Sequence, residues 1–159
     1  MLTGYILHDV LEPERPADAL AYLALTASDL WPGKGWNFVF GQANLRQRTG
    51  VWSIYRNGDP GEDLTLCLRL TLGTESHELG HVLTLRHCTA FRCLMNGSNH
   101  QGERDATPLH PCPVCLRKLC WNLRVEPVPH LTKLKAFCEQ NALDAESRWY
   151  ERAIAALAI

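Results

Sequence analysis

The stretch HELGHVLTLRHC, residues 77–88, decides how this chain is interpreted. His77 and His81 are four residues apart, so on a helix they share one face and one metal ion can bind both imidazoles. Glu78 then lies near the metal without binding it, which is where a general base for a metal-activated water is needed. The spacing predicts a zinc site, although an exposed amphipathic helix with two solvated histidines would produce it too.

A third histidine, His87, strengthens the zinc hypothesis. On an unbroken helix it would lie about 9 Å beyond His81 along the axis, too far to share a zinc with nitrogen ligands at about 2.0–2.1 Å. The chain must therefore leave the helix between the two residues if both bind the metal. Three neutral imidazoles would leave a fourth position for water, as a catalytic zinc requires.

Four of the seven cysteines form a second candidate metal site. They are Cys88, Cys93, Cys112 and Cys115, two closely spaced pairs as in a tetrahedral thiolate zinc site that contributes directly to folding. The alternatives are buried thiols or a redox-active CxxC. The redox alternative needs a strand-to-helix junction in a βαβ unit, which the surrounding pattern does not predict.

These residues together resemble the archaemetzincins, a branch of the metzincin metalloproteases. The family signature HExxHxxGxxHC is followed by a cysteine, a methionine and a CxxC motif. Here HELGHVLTLRHC, CLM with Met95, and CPVC occur in that order. WNFVFGQA (residues 36–43) and MNGSNH (residues 95–100) are also similar to family segments, and the resemblance extends from about residue 16 to residue 120.

The resemblance implies a zinc-dependent metallopeptidase that hydrolyses a peptide or protein substrate. It assigns the general base to Glu78, a methionine beneath the active site to Met95, and two Zn²⁺ ions to each chain. The implied ligands of the catalytic zinc are His77, His81 and His87, and those of the structural zinc are Cys88, Cys93, Cys112 and Cys115. In metzincins the strand above the cleft pairs with an extended substrate, for which residues 50–58 and 64–72 are candidates here.

Thr84 departs from the signature, which has glycine at this position. Helices often end with a left-handed residue, and a β-branched side chain in that conformation costs about 1–2 kcal/mol. Structural zinc sites contribute roughly 10–16 kcal/mol in apparent binding energy, so we expect the site to form and to retain a reduced activity. The alternative is a non-catalytic zinc-binding interaction module, which Thr84 favours and Glu78 opposes.

The predicted fold is α/β (α+β) and metzincin-like. The resemblance implies a small mixed β-sheet, an active-site helix and a C-terminal subdomain that zinc stabilises, followed by helices. Residues 1–159 are expected to form a single domain. Its upper part, about residues 1–84, would end in the active-site helix, and its lower part would comprise about residues 85–159.

Hydrophobic patterns predict the elements before the zinc motif. Residues 16–27 are interpreted as a helix, and residues 36–43 and 50–58 as strands. The aromatic side chains of the first strand, Trp36, Phe38 and Phe40, are expected to lie in the core.

The pattern is helical from residue 74 to about 84, whereas residues 64–72 satisfy both strand alternation and helical spacing. The resemblance favours a helix for them. Residues 85–115 are interpreted as an irregular segment organised by its ligands. Two helices are predicted for residues 131–141 and 144–157, the second directing Trp149, Ile154 and Leu157 inward.

Composition excludes some classes of function. Sixteen basic and seventeen acidic side chains leave a net charge of −1, which does not favour binding to nucleic acid or to an anionic membrane. Residues 1–16 lack the features of a signal peptide, and the chain has no membrane-span pattern. We expect a cytoplasmic monomer, in which His100 and His110 are solvated loop histidines rather than extra ligands.

Overall fold

A computed structural model describes residues 1–157 of the chain. It contains two compact units, Met1–His87 and Cys88–Ile159. The first contains a three-stranded sheet and a long helix, and the described part of the second is helical. None of the helices within residues 1–157 is long and apolar enough to cross a membrane.

The sheet of the first unit is mixed, as the resemblance implies. Its strands are β1 (Tyr22–Thr26), β2 (Gly41–Asn44) and β3 (Thr49–Ser53), in the order β1-β3-β2. The central strand β3 is parallel to β1 and antiparallel to β2, and all of its residues are buried. The two outer strands are short, and β2 forms one edge of the sheet.

The hydrophobic core of the first unit lies between the sheet and the N-terminal segment. A π-helical stretch, Tyr5–Leu11, leads into the single turn α1 (Glu12–Glu14). The core side chains are Ile6, Leu7, Leu11, Leu30 and Val51. Burying each such side chain contributes about 1.5–3 kcal/mol, which orders the sheet around Val51 of β3.

Three predictions for the first unit are wrong wholly or in part. Residues 16–27 are not a helix, because Tyr22–Thr26 pair with β3 residue by residue and this pairing overrides the helical spacing of the local pattern. Of residues 36–43, only the part from Gly41 onward is a strand. The aromatic run lies outside the core, since Trp36 is 63% exposed and Phe38 and Phe40 are half-buried.

The ambiguous residues 64–72 are helical and form the first half of α2 (Leu64–Val82). The side chain of Asp63 caps this helix by accepting a hydrogen bond from the N–H of Leu66 at 2.8 Å. The alternating leucines do not alternate in burial, because Leu64 and Leu66 are exposed whereas Cys67, Leu70 and Thr74 are buried. These buried positions follow helical spacing, as the resemblance favours.

The second unit contains four described helices: α3 (Gln101–Asp105), α4 (Pro113–Leu123), α5 (Pro127–Gln140) and α6 (Asp144–Leu157). The last two confirm the predicted C-terminal helices and pack against each other. Helix α4 was not predicted, because its first turn lies inside the CPVC motif. In α6 the inward positions differ from the prediction: Leu157 is 50% exposed and Trp149 and Ile154 are half-buried, while Glu146, Ser147 and Tyr150 are buried.

Candidate metal centres

Three histidines of the first unit form a compact group, here called the histidine triangle: His77, His81 and His87. Their ring centroids are 4.7, 5.3 and 4.8 Å apart, close to an equilateral triangle. One nitrogen of each ring lies within 4.8 Å of the others, and the Nε2 atoms of His77 and His81 are 3.0 Å apart. Two ligands at about 2.0–2.1 Å from a tetrahedral zinc are about 3.3 Å apart, so this geometry fits zinc.

The turn after α2 brings His87 to the other two histidines. Thr84 has φ +72°, the left-handed conformation expected at this position. Its N–H donates to the carbonyl of His81 at 2.8 Å, and the N–H of Leu85 donates to the carbonyl of Gly80 at 2.9 Å. These two bonds form a Schellman motif, which closes a helix end and reverses the chain. Threonine therefore occupies the conformation in which glycine is less strained.

The same turn fixes the orientation of His81. The backbone carbonyl of Leu85 lies 2.8 Å from Nδ1 of His81 and accepts a hydrogen bond when that nitrogen is protonated. The neutral ring then presents an unprotonated Nε2 towards the triangle, as a zinc ligand must. Burial lowers the pKa of His87, and a positive charge on His81 lowers it further. Both effects favour the neutral form of His87, the form that binds a metal.

Glu78 projects from α2 next to the histidines and lies beside the sheet. Its side chain is half-buried, and burial raises the pKa of its carboxyl group to about 7. Its Cγ atom is close to Gly41 of β2. One turn earlier, Glu75 accepts a hydrogen bond from Nε1 of Trp52 at 2.6 Å, which joins α2 to the central strand. The helix that carries the general-base candidate is thus anchored to the sheet beneath it.

The four cysteines of the second unit form the cysteine cluster, Cys88, Cys93, Cys112 and Cys115, whose sulfur atoms lie within 4.8 Å of one another. The Sγ atoms of Cys88 and Cys112 are 3.9 Å apart. Sulfur ligands at about 2.3 Å from a tetrahedral zinc are about 3.8 Å apart, so the cluster fits zinc as well. All seven cysteines are free thiols.

Backbone N–H groups point at the sulfur atoms of this cluster. Sγ of Cys93 accepts from the N–H of Met95 at 3.4 Å and from that of Cys112 at 3.1 Å, and Sγ of Cys112 accepts from the N–H of Cys115 at 3.5 Å. Hydrogen bonds from Ala90 lower the pKa of Cys88 to about 7, whereas burial raises the pKa values of Cys93 and Cys115. A bound cation would supply the positive charge that buried thiolates need.

The loop between Cys88 and Cys93 is closed by one side chain. The amide nitrogen of Asn96 donates to the carbonyl oxygens of Cys88 and Phe91 at 2.6 and 2.9 Å, and its oxygen accepts from the N–H of Cys93 at 2.8 Å. Met95 beside it is fully buried in the second unit, and its carbonyl accepts from the N–H of Cys88 at 2.7 Å. The role of Met95 beneath an active site stays a prediction.

Two other histidines of the second unit differ in environment. His100 is exposed and caps α3, as expected for a loop histidine. His110 is not solvated, because its ring stacks on Trp149 with centroids 3.5 Å apart and its Nδ1 atom is buried. Burial lowers the pKa of His110 to about 4, so the neutral ring is favoured. The expectation of two solvated loop histidines is therefore wrong for His110.

Sequence patterns missed two groups at the histidine triangle. The carbonyl of Leu85 carries no sequence signal, because its position depends on the turn at Thr84. Gly41 lies within a segment predicted as a strand, but its approach to Glu78 depends on how β2 packs against α2. Only the tertiary structure brings either group to the site.

Comparison with protein families supports the resemblance. The model of peptidase family M54 matches residues 17–120. Archaemetzincin-2 of Mus musculus is 39% identical over 146 residues, which cover 74% of this chain and 40% of the relative. Archaemetzincin of Thermococcus kodakarensis is 42% identical over 129 residues, which cover 78% of this chain and 68% of the relative. The chain thus spans about 40% of the length of the first relative.

Solved structures of similar proteins share the fold. The crystal structure of archaemetzincin from Methanopyrus kandleri matches with a TM-score of 0.67 and 36% identity, covering 77% of this chain and 66% of that one. The crystal structure of archaemetzincin from Archaeoglobus fulgidus complexed with malonate matches with a TM-score of 0.58 and 33% identity. The match covers 69% of this chain and 66% of that one.

Proposed function

Since the chain belongs to peptidase family M54, we propose that it is a zinc-dependent metallopeptidase with a catalytic zinc and a structural zinc. The histidine triangle would hold the catalytic ion and the cysteine cluster the structural one. The observation that carries the proposal is the convergence of the nitrogen atoms of three histidines, the first of which, His77, is followed directly on α2 by the carboxylate-bearing Glu78. A purely structural site does not need such a group.

The residues of the triangle have distinct parts in peptide hydrolysis. Zinc, when bound there, supplies a Lewis acid that polarises a peptide carbonyl and makes water more acidic. Glu78 takes the proton of the attacking water and then passes it to the leaving amine. The hydrogen bond between His81 and the carbonyl of Leu85 keeps that ligand in one tautomer during turnover.

We further propose that an extended substrate pairs with β2. Both earlier candidates for the substrate strand are wrong, because β3 is already paired on both sides and residues 64–72 are helical. Strand β2 is an edge strand whose first residue, Gly41, lies next to Glu78. A peptide added to this edge would bring its backbone close to the general base. A structure with a peptide-like inhibitor that forms no backbone hydrogen bonds to Gly41–Asn44 would refute this pairing.

The rival function is a zinc-binding module without catalysis. Its main support is Thr84, because a strained turn could displace His87 from the other ligands. The Schellman hydrogen bonds form with threonine in place, and His87 lies beside His81. The turn therefore forms despite threonine, which supports a complete histidine triangle, and the Glu78 variant below distinguishes the enzyme from the module.

Glu78→Gln is the direct test of the proposed function. We expect two zinc ions per chain, as in the wild type, and a loss of peptide hydrolysis of about 10²–10⁴-fold, because the general base is removed while the ligands stay. Metal content is measured by elemental analysis and turnover with a peptide library. As a control, His87→Ala should lose one zinc. A wild type that binds two zinc ions but hydrolyses no better than Glu78→Gln would favour the interaction module.

A further inference from the structure

We infer that Gly41 is a positioning residue for Glu78, because the missing side chain at this position of β2 leaves the space that the glutamate occupies. The inference rests on the proposed function, since the position of Glu78 affects a rate only if the protein is an enzyme. The contact itself can be tested without any activity.

A methyl group at Gly41 would meet three atoms at once. An ideal Cβ there would lie 3.0 Å from Cγ of Glu78, 3.2 Å from Cβ of Trp52 and 3.2 Å from the carbonyl oxygen of Val51. Gly41 is not among the residues with positive φ, so its backbone conformation does not require glycine. Space is therefore the reason that this position lacks a side chain.

The glutamate is the neighbour that would have to move. The atoms contributed by Val51 and Trp52 belong to the buried central strand β3, which is paired with a strand on each side. The backbone of Glu78 is held in α2 between two ligands of the histidine triangle, His77 and His81. The flexible end of this contact is the Glu78 side chain, so relief comes from its rotation, which changes the position of its carboxylate.

A small rotation is enough to matter for catalysis. Catalytic groups must be held within about 0.5 Å of their productive position, and a misplacement of about 1 Å can lower a rate about 10²-fold. The Glu78 carboxylate lies beyond Cγ in the side chain, so displacement of Cγ is transmitted to the oxygen atoms that accept the proton.

Gly50 of β3 offers a matched control. A Cβ at Gly50 would lie 3.1 Å from Cδ2 of Leu23 and 3.2 Å from Cζ3 of Trp52, with no atom of Glu78 among its three nearest neighbours. Gly41→Ala and Gly50→Ala therefore crowd the same sheet and the same tryptophan to a similar degree. Only the first also crowds the glutamate.

The first experiment compares the two variants as zinc-loaded full-length chains. We expect both to bind two zinc ions, and Gly41→Ala to lower kcat about tenfold or more while KM changes less than about twofold. Gly50→Ala should leave kcat within about twofold of the wild type. A crystal structure of Gly41→Ala should show the Glu78 carboxylate displaced and α2 unchanged. An undisplaced carboxylate, or an equal loss of kcat in both variants, would overturn the inference.

A double-mutant cycle tests the contact independently of activity. If the added methyl group clashes with Glu78, then Gly41→Ala should lower the melting temperature less in a Glu78→Ala background than in the wild type. Should Gly41→Ala alone fail to fold, recovery of folding in the double variant supports the same contact. The inference would be refuted if Gly41→Ala lowers the melting temperature equally in both backgrounds, or if neither the single nor the double variant folds. Either result would place the clash in β3. If the wild type lacks peptidase activity, the proposed function fails. The double-mutant cycle would still show whether Gly41 and Glu78 are in contact, because its measurement is a melting temperature.

Discussion

The histidine triangle and the cysteine cluster are both candidate zinc sites, but the surrounding structure supports them differently. The triangle lies at the end of α2, a helix capped by Asp63 and joined to the sheet by the hydrogen bond between Trp52 and Glu75. The cluster lies where residues 88–112 contain only one helix, the short α3, in the described part of the chain. Cys93, Cys112 and Cys115 are themselves buried there.

This difference indicates what a metal ion would contribute at each candidate site. A site added to a folded helix needs the ion for chemistry, because the scaffold forms from its own packing and hydrogen bonds. A site formed mostly by residues outside regular helices needs the ion for folding, because thiolates that lack a bound cation are costly to bury. We expect the two sites to respond in opposite ways to loss of metal.

The largest expected effect is that of Cys112→Ser. Cys112 contributes a sulfur to the cluster, and serine can still cap α4, so the replacement removes only the metal ligand; it should release the structural zinc and unfold the second unit. Structural zinc sites contribute roughly 10–16 kcal/mol in apparent binding energy, far more than a marginally stable unit can lose. Zinc content per chain and far-UV circular dichroism measure the two changes.

Cys120→Ser is the matched control for Cys112→Ser. Cys120 is also a buried thiol of α4 but lies outside the cluster, so its replacement should keep both zinc ions and most of the helical signal. If Cys112→Ser keeps two zinc ions and its helices, the cluster is not a structural metal site and the contrast between the two sites is lost.

An intermediate effect is expected from chelation of wild-type protein. His87 is exposed and the triangle offers three nitrogen ligands, whereas three of the four sulfur ligands of the cluster are buried. A chelator should therefore remove one zinc early, with a loss of activity and little change in circular dichroism. The second zinc should leave only together with unfolding. Release of both ions in one phase, or unfolding with the first ion, would contradict this order.

The smallest expected effect is that of Thr84→Gly. Glycine relieves the strain at φ +72°, so we expect a gain of about 1 kcal/mol and a rise in melting temperature of about 2–4 °C. The Schellman turn already forms with threonine. We therefore expect only part of the relieved strain energy to lower the activation free energy of peptide hydrolysis. About 0.4 kcal/mol of it would raise the peptidase rate about twofold.

Arg124→Gly is the control for Thr84→Gly, because Arg124 ends α4 with φ +54° and is remote in sequence from the histidines. It should gain similar stability without any change in rate. A rise in activity of about tenfold or more in Thr84→Gly alone would mean that threonine distorts the histidine triangle. The chain would then be closer to the non-catalytic module.

The motif predicted which histidines and cysteines lie together better than it predicted the fold around them. The spacing of His77 and His81 and the helix that carries them agree with the structure, because a short helix is a local property of the chain. Residues 16–27 were interpreted as a helix and are partly strand β1, because pairing with β3 involves residues more than twenty positions away. Helix α4 was missed because the cysteine motif was interpreted as a loop.

The sequence by itself predicted the two groups that the structure brings together, three histidines and four cysteines at spacings that metal ligands need, and it proposed Glu78 as the general base. The left-handed residue at Thr84 was expected from the glycine that the resembling family has at this position, and the structure has φ +72° there. Only the tertiary structure decided that β2 is the edge strand beside Glu78 and that Gly41 leaves room for that side chain. Each of these depends on packing or backbone direction, which side-chain identity alone does not encode.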